Sequence, residues 1–179
     1  IFEMNNGCIC CTIRGDLMET LVDLYERREA GTIRPFKRVV LETTGLADPA
    51  PILHTLMQEP LVFTRYRLAR VVTAVDAVNG MTTLDRQPEA VKQAAVADAI
   101  LLTKTDMAND ASVLGALDGR LAALNPSAPR AVCLNGDISP EMLFSGGVYD
   151  VADKSRDVAG WLAEEAKNAP HGHAHDVNR

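Results

Sequence analysis

Apolar, β-branched runs alternate with stretches of helical periodicity along most of this chain. Arg38-Val39-Val40-Leu41-Glu42 reads as a short strand ending on a carboxylate, and residues 69–75, 99–103 and 130–134 read as three more. Leu17, Leu21 and Leu24 recur at helical spacing, with Gly31 placed to stop that helix. Pro49, after Asp48, sits where a first helical turn tolerates proline, and Ile52, Leu53 and Leu56 follow it. Residues 89–97 and 112–124 supply two further helices. Val158, Trp161 and Leu162 mark an amphipathic helix over residues 151–169, and residues 170–179 read as an exposed, histidine-rich linker.

Strands alternating with helices predict an α/β fold, a mostly parallel sheet flanked by helices, within residues 1–150. The strands are nearly continuous apolar runs, as strands buried on both sides should be. Ligands of such folds lie beyond the carboxyl ends of the strands. That rule directs attention to Glu42–Gly45 and to Thr103–Asp106.

Composition narrows the function classes. The 179 residues are 47% hydrophobic and 23% charged, which suits a globular chain with a real core. Aromatics make up only 4%, so Val, Leu, Ile and Ala must build that core. A formal net charge of −6 argues against nucleic-acid binding, which wants a basic face. No apolar run is long enough to predict a membrane span, and the first residues lack the pattern of a signal peptide. Three of the four cysteines crowd into four positions, a poor layout for disulfides, so a reducing, cytoplasmic setting is expected.

Those cysteines form Gly7-Cys8-Ile9-Cys10-Cys11-Thr12. Thiolates bind soft or borderline metals, and zinc favours sulfur and nitrogen at tetrahedral corners. In a regular strand Cys8 and Cys10 would share a face and Cys11 would oppose them, so convergence requires a turn near Cys10. Three ligands leave a fourth position for Glu3, water or a partner, which suits a metal that must be handed on. Three alternatives stay open: inert thiols packed in a core, a structural zinc site in a non-catalytic module, and redox-active thiols.

Two loops carry further chemistry. In Glu42-Thr43-Thr44-Gly45 a carboxylate ends a strand three residues before a glycine. This is the form of a loop that faces Mg²⁺ and a terminal phosphate, although an ordinary strand-to-helix turn looks the same. In Thr103-Lys104-Thr105-Asp106 the aspartate can accept both N–H groups of a guanine edge, while the lysine stem lies along the base. A charged loop after a strand is the bland reading. Their order, with a strand and helix between them, strengthens both.

His171, His173 and His175 alternate and could capture Zn²⁺ or Co²⁺, or simply make a polar linker. His54 falls in a helical pattern and reads as surface or satisfied core. Cys133, within a strand, reads as a small buried apolar residue.

Together these segments resemble the CobW-like family of P-loop GTPases, relatives of the HypB and UreG nickel-delivery proteins. The resemblance rests on GCICCT at residues 7–12, RGDL at 14–17, ETTGLADP at 42–49, VDA at 75–77, LLTKTD at 101–106 and the HxHxH tract. It implies a GTP-hydrolysing chaperone or insertase that delivers zinc or cobalt to a client metalloprotein. It implies Cys8, Cys10 and Cys11 as metal ligands, and Glu42 and Gly45 as the switch facing Mg²⁺ and the γ-phosphate. Thr103, Lys104 and Asp106 would read guanine, and Asn135, in Leu134–Asp137, would belong to a loop closing over the base. The oligomeric state stays open, a homodimer included.

Two departures shape the expectation. The family's GxxGxGKT phosphate loop, which precedes the cysteine motif, does not occur in the 179 residues, and the chain opens on Ile1 rather than Met. The C-terminal domain that usually follows the histidine tract in the family does not occur in the 179 residues either. The chain is therefore expected to be a fragment that binds GTP poorly and does not turn it over.

Overall fold

The computed structural model describes residues 12–108 and 110–168. Helix α1 (Thr12–Glu29) buries Leu17 and Leu21 on one stripe, with Arg27 and Arg28 placed favourably at its negative end. Gly31 terminates it at φ +69°, a left-handed conformation that glycine adopts without steric cost. Helix α2 (Pro49–Gln58) starts where expected: Asp48 caps it, its Oδ1 accepting from the Ala50 amide at 2.9 Å. The short α3 (Pro60–Phe63) sets the fully buried Val62 against Leu17 and Leu21.

The central sheet contains β1 (Val72–Asp76), β2 (Ala99–Thr103) and β3 (Arg130–Cys133), all parallel, in the order β1-β2-β3. Helices α4 (Gly80–Arg86) and α5 (Pro88–Val96) connect β1 to β2, and α6 (Ala111–Leu124) connects β2 to β3. Val75 and Ile100 pack with Leu84, Ala94, Leu117 and Leu121 into the main core. The opposite face holds Ala74, which is exposed, so the described residues do not seal it.

After β3 come α7 (Pro140–Phe144), a 3-10 turn (Val151–Asp153) and α8 (Arg156–Asn168). The amphipathic helix expected over residues 151–169 thus begins five residues late, because the 3-10 turn takes the first three positions. Val158 of α8 joins Leu53, Ala95, Val96 and Tyr149 in a second core. Here α5 lies between the main core and the α2–α8 pair.

The strand expected at residues 38–42 does not form. Val40 is 74% exposed, and the segment makes no ladder with any described residue. A run with strand-like composition becomes a strand only when a neighbour accepts its hydrogen bonds, and among the described residues β1 pairs with β2 alone. No helix among the described residues is long and apolar enough to cross a membrane.

Candidate functional site at the carboxyl edge of the sheet

The parallel register places Asp76, Thr103 and Cys133 side by side at the carboxyl ends of β1, β2 and β3. Three loops therefore leave one edge together, where ligands of such sheets bind. Thr103 locks the first two, donating from Oγ1 to the Val75 carbonyl at 3.3 Å and accepting from the Ala77 amide at 2.9 Å.

Lys104 takes a left-handed backbone at φ +57°, uncommon for any residue but glycine or asparagine. Its Nζ donates to Asp76 Oδ2 at 2.7 Å. The other oxygen of Asp76 accepts from the amides of Val78 and Asn79 at 2.7 and 3.1 Å. Burial alone would raise the Asp76 carboxyl, but Lys104, these amides and the Asn79 side chain outweigh it and lower it to about 2. Asp76 is thus a fixed anion at neutral pH. Asp106, two residues beyond Lys104, is exposed, and its carboxylate has acceptor capacity for a ligand.

Beyond β3, Asn135 and Gly136 have φ of +50° and +80°, and the Asp137 amide donates to the Leu134 carbonyl at 2.8 Å. Two successive positive φ values at Asn-Gly make a type I′ turn. It projects Asn135 from the same sheet edge as Lys104.

The Glu42–Gly45 loop is exposed. A Cβ on Gly45 would meet nothing within 4 Å, and its φ is not positive, so local sterics do not demand glycine here. The loop is held from behind by α5. Gln93 Nε2 lies 3.3, 3.4 and 2.8 Å from the carbonyls of Thr44, Gly45 and Ala47, and Lys92 pairs with Asp48. The Gln93 carbonyl in turn accepts from Thr73 Oγ1 of β1 at 2.7 Å.

Lys104, Asp106 and Asn135 stand in loops that the sequence marks by motif, whereas Asp76 is marked by its place at a strand's carboxyl end. Gln93 carries no motif, and its contacts with the Thr44–Ala47 carbonyls have no signal in the sequence. Glu3, Cys8, Cys10, Cys11, His171, His173 and His175 lie outside the described residues. Among the described residues no three His, Cys, Asp or Glu side chains gather around a possible metal position. His54 and Cys133 are both buried.

Comparison with known proteins decides the family. A model of the CobW/HypB/UreG nucleotide-binding domain matches residues 1–131. The chain belongs to this family. Among its relatives is the zinc chaperone YjiA of Escherichia coli, 35% identical over 178 residues, covering 92% of this chain and 55% of YjiA. The zinc chaperone CobW of Sinorhizobium is 28% identical, covering 97% of this chain and 53% of its own length. A zinc-regulated GTPase metalloprotein activator 1 from Dictyostelium discoideum is 26% identical, covering 92% and 38%. The chain thus spans about half the length, or less, of these curated relatives. The crystal structure of Zn(II)-bound YjiA GTPase from E. coli aligns at TM-score 0.64 and 39% identity, over 72% of this chain and 39% of that one. The parallel sheet of this CobW/HypB/UreG chain is therefore the sheet of a GTPase fold.

Proposed function

We propose that this chain supplies the guanine-reading and switch loops, and the metal-binding cysteines, of a GTP-dependent chaperone that delivers zinc to a client metalloprotein. The observation that supports it best is the meeting of Lys104, Asp106 and Asn135 at one carboxyl edge, in a family with zinc-chaperone members. Asp106 would accept the two N–H groups of guanine, and the Lys104 stem would lie along the base while Asp76 holds its ammonium. Asn135 would close over the base. Glu42 and Gly45 would face the γ-phosphate, the Glu42 carboxylate serving the water shell of a nucleotide-borne Mg²⁺.

The metal is cargo in this scheme. Cys8, Cys10 and Cys11 would hold Zn²⁺, or Co²⁺, with Glu3 available for the fourth position. The tract of His171, His173 and His175 would collect the ion. The protein would act in a reducing, cytoplasmic setting, where the thiolates persist.

Titration of the complete protein with GTP and ATP tests the nucleotide half, with Asp106→Asn as the control. GTP should bind at least about tenfold tighter than ATP, and the substitution should weaken GTP selectively; equal affinity for both nucleotides would refute the reading. For the cargo half, Cys10→Ser should lower zinc stoichiometry and leave the fold intact. Loss of the fold would make the site structural. The 179-residue chain, which contains no GxxGxGKT run, should bind GTP more weakly than micromolar and show no turnover.

A further inference from the structure

Three carbonyls of the Glu42–Asp48 loop converge on one side-chain amide. Gln93 Nε2 carries two hydrogens. The shortest contact, 2.8 Å to the Ala47 carbonyl, takes one, and the Thr44 and Gly45 carbonyls, at 3.3 and 3.4 Å, share the other. Only the NH₂ end can face three acceptors, so the orientation of this amide is settled by chemistry.

That arrangement constrains the loop's donors. In a trans peptide the N–H points opposite to the preceding C=O. With the carbonyls of Thr44 and Gly45 turned toward α5, the amides of Gly45 and Leu46 are turned away from it. Neither donates to any acceptor among the described residues, and both residues are exposed. Two adjacent, outward-facing amides form a concavity suited to an anionic oxygen. The Gln93 backbone is itself tied to β1 through Thr73, and neighbouring Lys92 grips Asp48 at the end of the loop. The brace is therefore anchored on the sheet.

We propose that Gln93 is the positioning residue of the phosphate-facing loop: by drawing three carbonyls to α5 it presents the Gly45 and Leu46 amides to a terminal phosphate oxygen. This rests on the reading of Glu42–Gly45 as the γ-phosphate loop. Gln93 touches no nucleotide in this scheme. It acts through backbone groups, and its effect belongs to the triphosphate alone, because a diphosphate has no group there.

The test uses the complete protein and two variants. Gln93→Glu keeps the shape of the side chain but replaces the donors with a carboxylate that repels the carbonyls. Gln93→Ala removes the donors without adding charge and keeps the test open should the carboxylate disturb the fold. Each should lower kcat for GTP, and affinity for a non-hydrolysable GTP analogue, by about tenfold, the loss of one positioned donor set. GDP affinity should stay within about twofold, and amide hydrogen exchange at Ala47, whose N–H donates to the Thr44 carbonyl at 3.1 Å, should accelerate. Equal losses for GTP analogue and GDP, together with a fall in melting temperature, would reduce Gln93 to a structural part and overturn the proposal. So would variants that discriminate GTP from GDP as well as the wild type does. A wild-type protein that fails to distinguish GTP from GDP would instead overturn the reading of the loop on which the proposal rests.

Discussion

Lys104 and Asp76 form an ion pair across the carboxyl ends of two neighbouring strands, Nζ to Oδ2 at 2.7 Å, with the lysine backbone in the left-handed region. The pair joins the loop after β2 to the turn after β1, where Asp76 also binds two backbone amides. One carboxylate therefore organises two segments of the sheet edge.

Its pH dependence has a definite sign. The folded carboxyl lies at about 2, below its ordinary 3.8, so the unfolded chain binds more protons between these values. Stability from Asp76 is complete above pH 4 and is lost as pH falls toward 2. With its side chain only 25% exposed, the contribution is on the order of 1–2 kcal/mol after solvent screening. Urea unfolding at pH 7 and pH 3 should show a smaller acid-induced loss in Asp76→Asn than in the wild type.

Asn125 performs the same chemistry as Gln93, here on the C-terminal carbonyls of α5 itself. Its Nδ2 donates to the carbonyls of Ala94, Ala95 and Ala97 at 3.0, 3.1 and 2.8 Å, and its Oδ1 accepts from Ser127 and Ala128. The residue is 3% exposed, so water cannot replace these bonds. Asn125→Ala should cost about 3 kcal/mol in chemical denaturation, and Asn125→Asp, which faces three carbonyls with a carboxylate, should cost more.

The turn after β3 depends on its glycine. Gly136 sits at φ +80° in open space, so alanine meets a backbone penalty and no clash. Gly136→Ala should destabilise by about 1 kcal/mol, whereas Asn135→Gly, at an equally left-handed position, should be tolerated in thermal unfolding.

Tyr149 offers a prediction of opposite direction. Its hydroxyl is buried with no hydrogen-bond partner among the described residues, and burial, reinforced by Asp98, raises its pKa above the ordinary 10. Tyr149→Phe should leave stability unchanged or raise it by about 1 kcal/mol at pH 7. A raised folded pKa means stability is lost as pH climbs past 10, so the variant should also show a shallower alkaline decline. Tyr66, raised mainly by its own burial, keeps the remainder.

How much of this was legible in the sequence depends on the range of each cause. Residues 99–103 were legible as a strand because an apolar run between helices has few other uses, and β2 has those bounds. The run at residues 69–75 enters the ladder only at Val72. The Val71 amide is taken by the Asp98 carboxylate at 2.9 Å, a contact 27 residues away that no local pattern announces. Residues 38–42 have strand composition, but pairing is a property of two segments, and composition describes only one. The site divides likewise. Lys104 and Asp106 follow a strand and declare themselves, whereas Gln93 acts on a loop more than 40 residues distant and looks like any helix glutamine.

The unpaired segment has a consequence for handling the protein. Val39, Val40 and Leu41 are exposed in sequence, and β1 leaves one row of backbone groups unclaimed by the described residues. Sticky side chains and open hydrogen-bonding groups in one molecule are the ingredients of colloidal self-association. Light scattering of the 179-residue chain should rise with concentration, and a single charge at the 74%-exposed position, Val40→Lys, should suppress the rise without lowering the melting temperature.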